Sequence, residues 1–404
     1  MRIAIMKERR AYERRVAASP DTVGKFKALG FDVVVESGAG DRAAMGDEDF
    51  AATGAEIAAD AAAALANADI ILKVQRPLLG AEDGADEMAL INKGAIVIGM
   101  LGGLQYKDHI AAYTQAGVTA FSLEMLPRIT RAQSMDVLSS QSNLAGYKAV
   151  LDGAAEFGRA FPMMMTAAGT IAPARVIVLG AGVAGLQAIA TARRLGAVVT
   201  AYDVRPAVKE QVESLGGKFL DVDEGSTADA ETAGGYAKEM GEDYRKKQEA
   251  ALRESLKKQD IAICTALIPG RPAPELISAE MVAEMKQGSV IVDLAVERGG
   301  NCPLSEYGKV VEKHGVRIVG HANVPSRLAV DATAMYAKNL LNFVTLLADG
   351  ERGAMAIDWG DEIVQGCLLT RDGAVPQRDP EKAPPAPAAP EPAAERPVAE
   401  RNAA

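Results

Sequence analysis

The sequence predicts an α/β protein with two parallel sheets separated by a cleft, its N-terminal domain assembled from two separate stretches of chain. Three observations predict it. Short β-branched runs alternate with helical ones in two series, the second series opens on a glycine-rich turn, and each series is followed by a long helical stretch. Strands alternating with helices imply βαβ units and a mostly parallel sheet.

In the first series, residues 3–6, 33–36, 70–74, 96–100 and 118–123 read as buried strands, and 22–29, 60–67 and 107–116 as helices between them. Residues 134–160 form a long connector helix that ends before Pro162, because proline cannot continue a helix. The second series places strands at 176–179, 198–202, 261–265, 290–294 and 316–319. A second long helix, 327–348, returns to the first domain, and the chain after it packs there too. The expected division is 1–140 plus 327–380 for one domain and 141–326 for the other. The segment 221–258 reads as a lid or a disordered loop, with a solvated helix in its second half, and the Pro/Ala-rich residues 381–404 read as a disordered tail.

Composition narrows the function. A net charge of -10 disfavours nucleic acid and anionic lipid as partners. Cys264, Cys302 and Cys367 are scattered without a C-x-x-C pair, which suits a reducing compartment and no disulfide framework. The opening MRIAIMKERR reads as a first strand and not as a signal peptide. The longest apolar stretch, 176–190, is broken by three glycines and Gln187, so no direct membrane insertion is expected.

That stretch carries Gly180-Ala-Gly-Val-Ala-Gly185, directly after a strand and opening a helix. The context turns a weak motif into a dinucleotide site. Gly180 allows the tight turn, Gly182 lets a pyrophosphate approach the backbone, and Gly185 lets helix and strand pack closely. The helix N-terminus offers free N–H groups and partial positive charge. The bland alternative is a tight turn with no ligand.

The next strand ends at Asp203, whose carboxylate suits the adenosine ribose hydroxyls. The extra phosphate of NADP carries about -1.5 to -2 charges. Its repulsion from Asp203 at ~4 Å costs roughly 1–4 kcal/mol per unit charge, so NAD(H) is favoured. Arg205, two residues on, complicates this because it could hold that phosphate. Of the later strand ends, 265–270 places Ala266 and Leu267 by the cofactor, with Leu267 against a ring; 293–297 and 321–326 are further candidates, each with an ordinary loop as the alternative.

The residues also carry a family likeness. Arg128-Ile-Thr-Arg-Ala-Gln-Ser-Met-Asp136, continuing through Val137 to Tyr147, closely resembles the NAD(H)-binding component of proton-translocating NAD(P) transhydrogenase. So do Phe161-Pro-Met-Met-Met-Thr-Ala-Ala-Gly169, Ala233-Gly-Gly-Tyr-Ala-Lys-Glu-Met240 and Asn301-Cys-Pro-Leu-Ser305. The likeness covers about residues 1–370. It implies that Arg128, Gln133, Asp136 and Ser139 lie by the nicotinamide. Gln133 orients its carboxamide and reaches towards the partner's nucleotide, while Arg128 and Asp136 pair to shape the loop. Tyr236, with Gly235 and Gln248 nearby, closes over the nucleotide. The expected nucleotide contacts are thus Arg128, Ile129, Thr130, Gln133, Asp136, Ser139, Gly180, Gly182, Val183, Gly185, Asp203, Val204, Arg205, Gly235, Tyr236, Gln248, Ala266 and Leu267, with Gln133, Arg128 and Asp136 serving the reaction.

The same likeness implies direct, reversible hydride transfer between NAD(H) here and NADP(H) on a partner subunit, coupled to proton translocation by a membrane-spanning subunit. It further implies a homodimer, cytoplasmic and peripheral on the inner face of the membrane through its partners. Alanine dehydrogenases share the fold and supply the rival reading. Arg15 and Lys73 match their oxo-acid-binding positions, but Gly102 stands where their catalytic histidine falls, and Glu297 where an aspartate is expected. An amine oxidation needs a general acid/base. Of the histidines, His109 reads as sitting on a polar helix and His314 in a surface turn; only His321, at a strand end, is placed to reach the cofactor, and a structural loop histidine is the favoured reading there. Transfer between two nicotinamides needs only positioning and the exclusion of water. Arg15 and Lys73 then hold structural salt bridges. A non-catalytic NAD-sensing or assembly module is the third possibility.

Overall fold

The computed structural model describes residues 1–80, 82, 85–103, 105–222, 241–268 and 270–376. Gly235, Tyr236, residues 223–240 of the expected lid and the tail at 381–404 lie outside the described residues, while the second half of that segment is a helix, as expected.

The first series forms β1 (Arg2–Ile5), β2 (Asp32–Glu36), β3 (Glu56–Ala58), β4 (Ile70–Gln75), β5 (Ile96–Met100) and β6 (Thr119–Ser122). Between them lie α1 (Pro20–Ala28), α2 (Asp47–Ala52), α3 (Ala61–Leu65) and α4 (Lys107–Ala116). The connector is α5 (Val137–Glu156), followed by a two-stranded hairpin, β7 (Met164–Thr166) and β8 (Gly169–Ile171). The second series is β9 (Arg175–Leu179), α6 (Val183–Arg194), β10 (Val198–Tyr202), α7 (Lys209–Ser214), β11 (Lys218–Phe219), α8 (Glu242–Leu256), β12 (Ile261–Cys264), α9 (Ala279–Glu284), β13 (Val290–Asp293), β14 (Lys309–Lys313) and β15 (Val316–Gly320). The chain closes with α10 (Ala329–Leu347), α11 (Glu362–Cys367) and β16 (Leu368–Thr370).

Two seven-stranded sheets result, ordered β16-β6-β5-β4-β1-β2-β3 and β11-β10-β9-β12-β13-β15-β14. Both are parallel except at one edge each, where β16 and β14 run antiparallel. Ile3, Ala4 and Ile5 are all fully buried, as are Ile261, Ala262, Ile263 and Cys264. Strands covered on both faces read as continuous apolar runs. The helix α10 joins the core of the first sheet: Tyr336, Leu340, Phe343 and Val344 pack in one cluster with Ile3, Val33 and Phe26. The Tyr336 hydroxyl donates to the Lys73 carbonyl oxygen (2.8 Å). The N-terminal half is therefore discontinuous, as the sequence predicts.

The connector departs from expectation. Residues Thr130–Met135 form a 3-10 segment and α5 starts only at Val137, because Asp136 caps it: its carboxylate accepts from the Ser139 amide (2.9 Å) and hydroxyl (2.5 Å). The helix ends at Glu156, before Pro162 is reached, as Phe157 turns extended. Within α5, Gly146 allows close crossing of α6; a Cβ there would lie 2.0 Å from the Ala184 carbonyl oxygen. No helix among the described residues is long and apolar enough to cross a membrane.

Candidate functional site

The glycine turn has the geometry its chemistry requires. Gly180 has φ 99°, a left-handed value that disfavours side chains. A Cβ on Gly185 would lie 1.8 Å from the Gly180 carbonyl oxygen, so this residue permits the close packing of α6 on β9. A Cβ on Gly182 would meet nothing within 4 Å: that position faces open space. Gly182 is also the N-cap of α6, and no side chain caps the first turn. A helix start in this form is an anion site, with backbone donors and ~0.5 positive charge directed at one spot.

Asp203, at the end of β10, closes the turn from below. Its Oδ2 accepts from the Ala181 amide (2.7 Å) and from Arg205 Nη2 (2.8 Å), and its Oδ1 from the amide and Nε of Arg205 (both 2.9 Å). Arg205 is thus folded back onto Asp203, in place of the free phosphate-binding posture that the sequence leaves open. From the loop after β13, Asn301 pins the Ala266 loop that follows β12. Its side chain accepts from the Ala266 amide (3.1 Å) and donates to the Ala266 (2.9 Å) and Pro274 (2.7 Å) carbonyls. Leu267 is left 43% exposed at the tip of that loop.

Gly180, Ala181, Gly182, Asp203, Arg205, Ala266 and Leu267 line a cleft of about 1820 Å³ at the carboxyl ends of both sheets. That exceeds the ~300–1,000 Å³ of sites for drug-sized ligands and suits something as large as a dinucleotide. Of the expected residues, Arg128, Ser139, Gly180, Gly182, Val183, Asp203, Val204, Arg205, Gln248, Ala266 and Leu267 line it. Ile129, Thr130, Gln133 and Asp136 do not, and Gly185 lies beneath the turn. Gln133 is exposed, on the loop between the lining residues Arg128 and Ser139. The Asp136 carboxylate caps α5.

The wall contributed by the first sheet was only partly legible. Arg15 is buried and held by Glu13, with Nη2 2.7 Å and Nε 2.8 Å from its two carboxylate oxygens. Burial pushes Glu13 up, but the Arg15 charge and the hydrogen bonds from Arg15 and Gln75 outweigh it and hold the carboxyl at about 2. Lys73 sits between Glu87 (3.0 Å) and Glu8 (3.3 Å). Burial, reinforced by Glu13 and Glu87, raises Glu8 to about 7 despite Lys73. Gly102 has φ 68°, and a Cβ there would lie 2.2 Å from the Tyr106 ring, which Arg76 covers at 3.6 Å. The sequence reading missed Tyr106 and Glu124, both lining residues. Glu124 accepts from the amides of Leu101 and Gly102, and burial pushes its carboxyl up.

The histidines divide differently from the expectation. His109 is buried, not solvated, with Nε2 3.1 Å from the Pro77 carbonyl oxygen. Its ring lies between Tyr106 and Tyr113. His321 does line the cleft, and burial together with Arg327 keeps it below its ordinary range.

Comparison with known proteins agrees with this geometry. Family models for the N-terminal and C-terminal domains of alanine dehydrogenase/PNT match residues 4–145 and 149–378. An NAD(P) transhydrogenase alpha-subunit polypeptide of Rhodospirillum rubrum is 62% identical over 375 residues, covering 93% of this chain and 97% of that one. The crystal structure of transhydrogenase from Sinorhizobium meliloti superposes with a TM-score of 0.83 at 52% identity, covering 93% of this chain and all of that one. An L-alanine dehydrogenase structure matches at 0.75 and 26% identity, covering 93% and 96%. With both halves matched and a transhydrogenase alpha-subunit polypeptide so similar along nearly its whole length, the chain belongs to the alanine dehydrogenase/PNT family.

Proposed function

We propose that the chain is the NAD(H)-binding subunit of a proton-translocating transhydrogenase, exchanging hydride with NADP(H) held by a partner subunit. One contrast carries the reading. The nucleotide half of the cleft is built, while in the other half the residues that match oxo-acid ligands are already tied to carboxylates of the chain. Arg15 is neutralised by Glu13, Lys73 by Glu8 and Glu87, and the space over Gly102 is filled by Tyr106. That arrangement disfavours the alanine dehydrogenase alternative.

The residues present fit a dinucleotide. Gly182 and the first turn of α6 hold the pyrophosphate, and Asp203 receives the ribose hydroxyls once Arg205 swings away from it. Val204 and Leu267 flank the adenosine, and Arg128 and Ser139 stand towards the nicotinamide. Ile129 and Thr130 shape the loop, while exposed Gln133 meets the carboxamide and the partner. Gly235, Tyr236 and Gln248 close over the bound nucleotide. Bound NAD(H) supplies a hydride donor or acceptor at its nicotinamide ring. The chain's task is to hold that ring in reacting geometry and exclude water, since no proton need move.

The domains divide at 1–140 plus 327–380 and 141–326. The chain acts as a homodimer, for which the hairpin bearing Met163 (61% exposed) and Met165 (75% exposed) offers an apolar surface. It is cytoplasmic, peripheral on the inner face of the membrane through membrane-spanning and NADP(H)-binding partners.

The test is cyclic hydride transfer. The chain is mixed with a recombinant NADP(H)-binding component, NADH, catalytic NADP(H) and an oxidised NAD analogue of distinct absorbance. Turnover that needs both proteins and is lost in Gln133→Ala supports the reading. Tight NADH binding without turnover refutes it, and pyruvate-plus-ammonia-dependent NADH oxidation would then favour the dehydrogenase alternative.

A further inference from the structure

We propose that Asn339 and Asn342 of α10 are positioning residues for the turn that carries Gln133, and that Arg15 supports the same turn through a chain of hydrogen bonds. The proposal rests on the reading that Gln133 faces the reacting nucleotides. The Ser134 carbonyl oxygen, next to Gln133, accepts from Asn339 Nδ2 (2.8 Å) and Asn342 Nδ2 (2.9 Å). Both asparagines sit on a helix whose surrounding positions, Leu340, Leu341, Phe343 and Val344, are core residues. The Asn339 carboxamide is buried and loses its water partners on folding, so it needs a protein partner and a reason for its place.

The Asn339 amide is itself oriented. Its Oδ1 accepts from the Ser140 hydroxyl (2.7 Å), which leaves the NH₂ end aimed at Ser134. Ser140 Oγ accepts from Gln141 Nε2 (3.3 Å), and Gln141 Oε1 accepts from Arg15 Nη1 (2.8 Å). A continuous donor-to-acceptor chain thus runs from Arg15 through Gln141, Ser140 and Asn339 to the Gln133 turn. Its far end is fixed by Glu13, which also accepts from Asn323 (2.8 Å) and Ser326 (3.0 Å) just before α10. From the outer side, Arg131 forks onto Asp361 (2.8 and 2.9 Å), the N-cap of α11. Beyond its own turns, the 3-10 segment is tied to α10 and α11 by these side chains. Arg15, an oxo-acid ligand by its sequence match, becomes a strut of the loop.

Positioning has a distinct kinetic signature. A displacement of ~1 Å at a reacting centre can cost ~100-fold in rate while leaving distant binding contacts intact. Asn342 is half-buried, so Asn342→Ala tests the clamp without opening the core; Ser140→Ala tests the orientation of Asn339; Asn342→Gln keeps a carboxamide donor. Two readouts are taken on the full chain: cyclic turnover with the NADP(H)-binding component, and amide hydrogen exchange of residues 130–135. Asn342→Ala and Ser140→Ala are expected to lower kcat about tenfold or more, with NADH affinity within twofold of wild type. Exchange at 130–135 quickens, and Asn342→Gln recovers part of both. Unchanged kcat, unchanged exchange, or a loss confined to NADH affinity overturns the proposal. Failure of the subunit reading itself shows separately, as absent turnover by the wild-type chain.

Discussion

Replacing Glu13 by glutamine keeps the shape of the side chain and removes its charge. The carboxylate is fully buried and accepts on Oε1 from the Arg14 and Arg15 amides, Arg15 Nε and Ser326 Oγ, and on Oε2 from Arg15 Nη2, Gln75 and Asn323. In Glu13→Gln the Arg15 guanidinium stays buried without its counter-ion, and an NH₂ faces donors where an oxygen had accepted. Breaking a buried pair from one side costs ~3–5 kcal/mol. The titration leads to a similar figure. A carboxyl held at about 2, against an ordinary 4.5, gains about 3 kcal/mol from folding in its charged form. Because the folded value is depressed, that stability is present above pH 4.5 and is lost as the pH falls towards 2. Urea unfolding of wild type and variant at pH 7, 5 and 3 measures it. The expected gap is about 3 kcal/mol or more at pH 7 and shrinks steadily below pH 4.5. A gap under ~1 kcal/mol at pH 7, or one that stays constant down to pH 3, refutes the reasoning.

Gly185→Ala drives a methyl into the Gly180 carbonyl oxygen, and NADH titration should show affinity weakened more than tenfold. Asp203→Ser removes the ribose acceptor and frees Arg205, so NADH binding should weaken while NADPH binding strengthens; calorimetric titration with both nucleotides checks the crossing. Glu8 has the opposite sign to Glu13: its folded value is raised to about 7, so its contribution is full below pH 4.5 and lost as the pH rises through 7. Relative to wild type, Glu8→Gln should therefore be more stable at pH 8 than at pH 5, by up to about 3 kcal/mol, as measured by urea unfolding.

What could be read from the sequence follows from local chemistry. Fully buried parallel strands announce themselves as β-branched runs, and the central strands of both sheets fall within about a residue of expectation. The edge strands do not: β3 is three residues long, and β14 is half-exposed with lysine at both ends, so neither shows a core pattern. The glycine turn was legible because a tight turn, an open approach and a close packing each exclude a side chain. Gly146 was not, since a glycine inside a helix shows its purpose only when α6 is laid across it. Asp136 reads from the resemblance as a partner of Arg128, yet an aspartate just before an apolar run is also an N-cap signal, and its hydrogen bonds to Ser139 show that second role. Glu13 and Arg15, two apart in a loop, follow no helical spacing; their pairing and its link to Gln141 appear only when α5 and α10 are brought together.

Direct passage of hydride between the two nucleotides is the central claim, and isotope tracing tests it most directly. NADH carrying deuterium at the transferred C4 position is incubated with the chain, the NADP(H)-binding component and NADP⁺ in ordinary water, and the product NADPH is analysed by mass spectrometry. Direct transfer gives deuterated NADPH throughout, and the converse experiment with unlabelled NADH in D₂O gives none. Loss of the label to water, or deuterium taken up from D₂O, would contradict it.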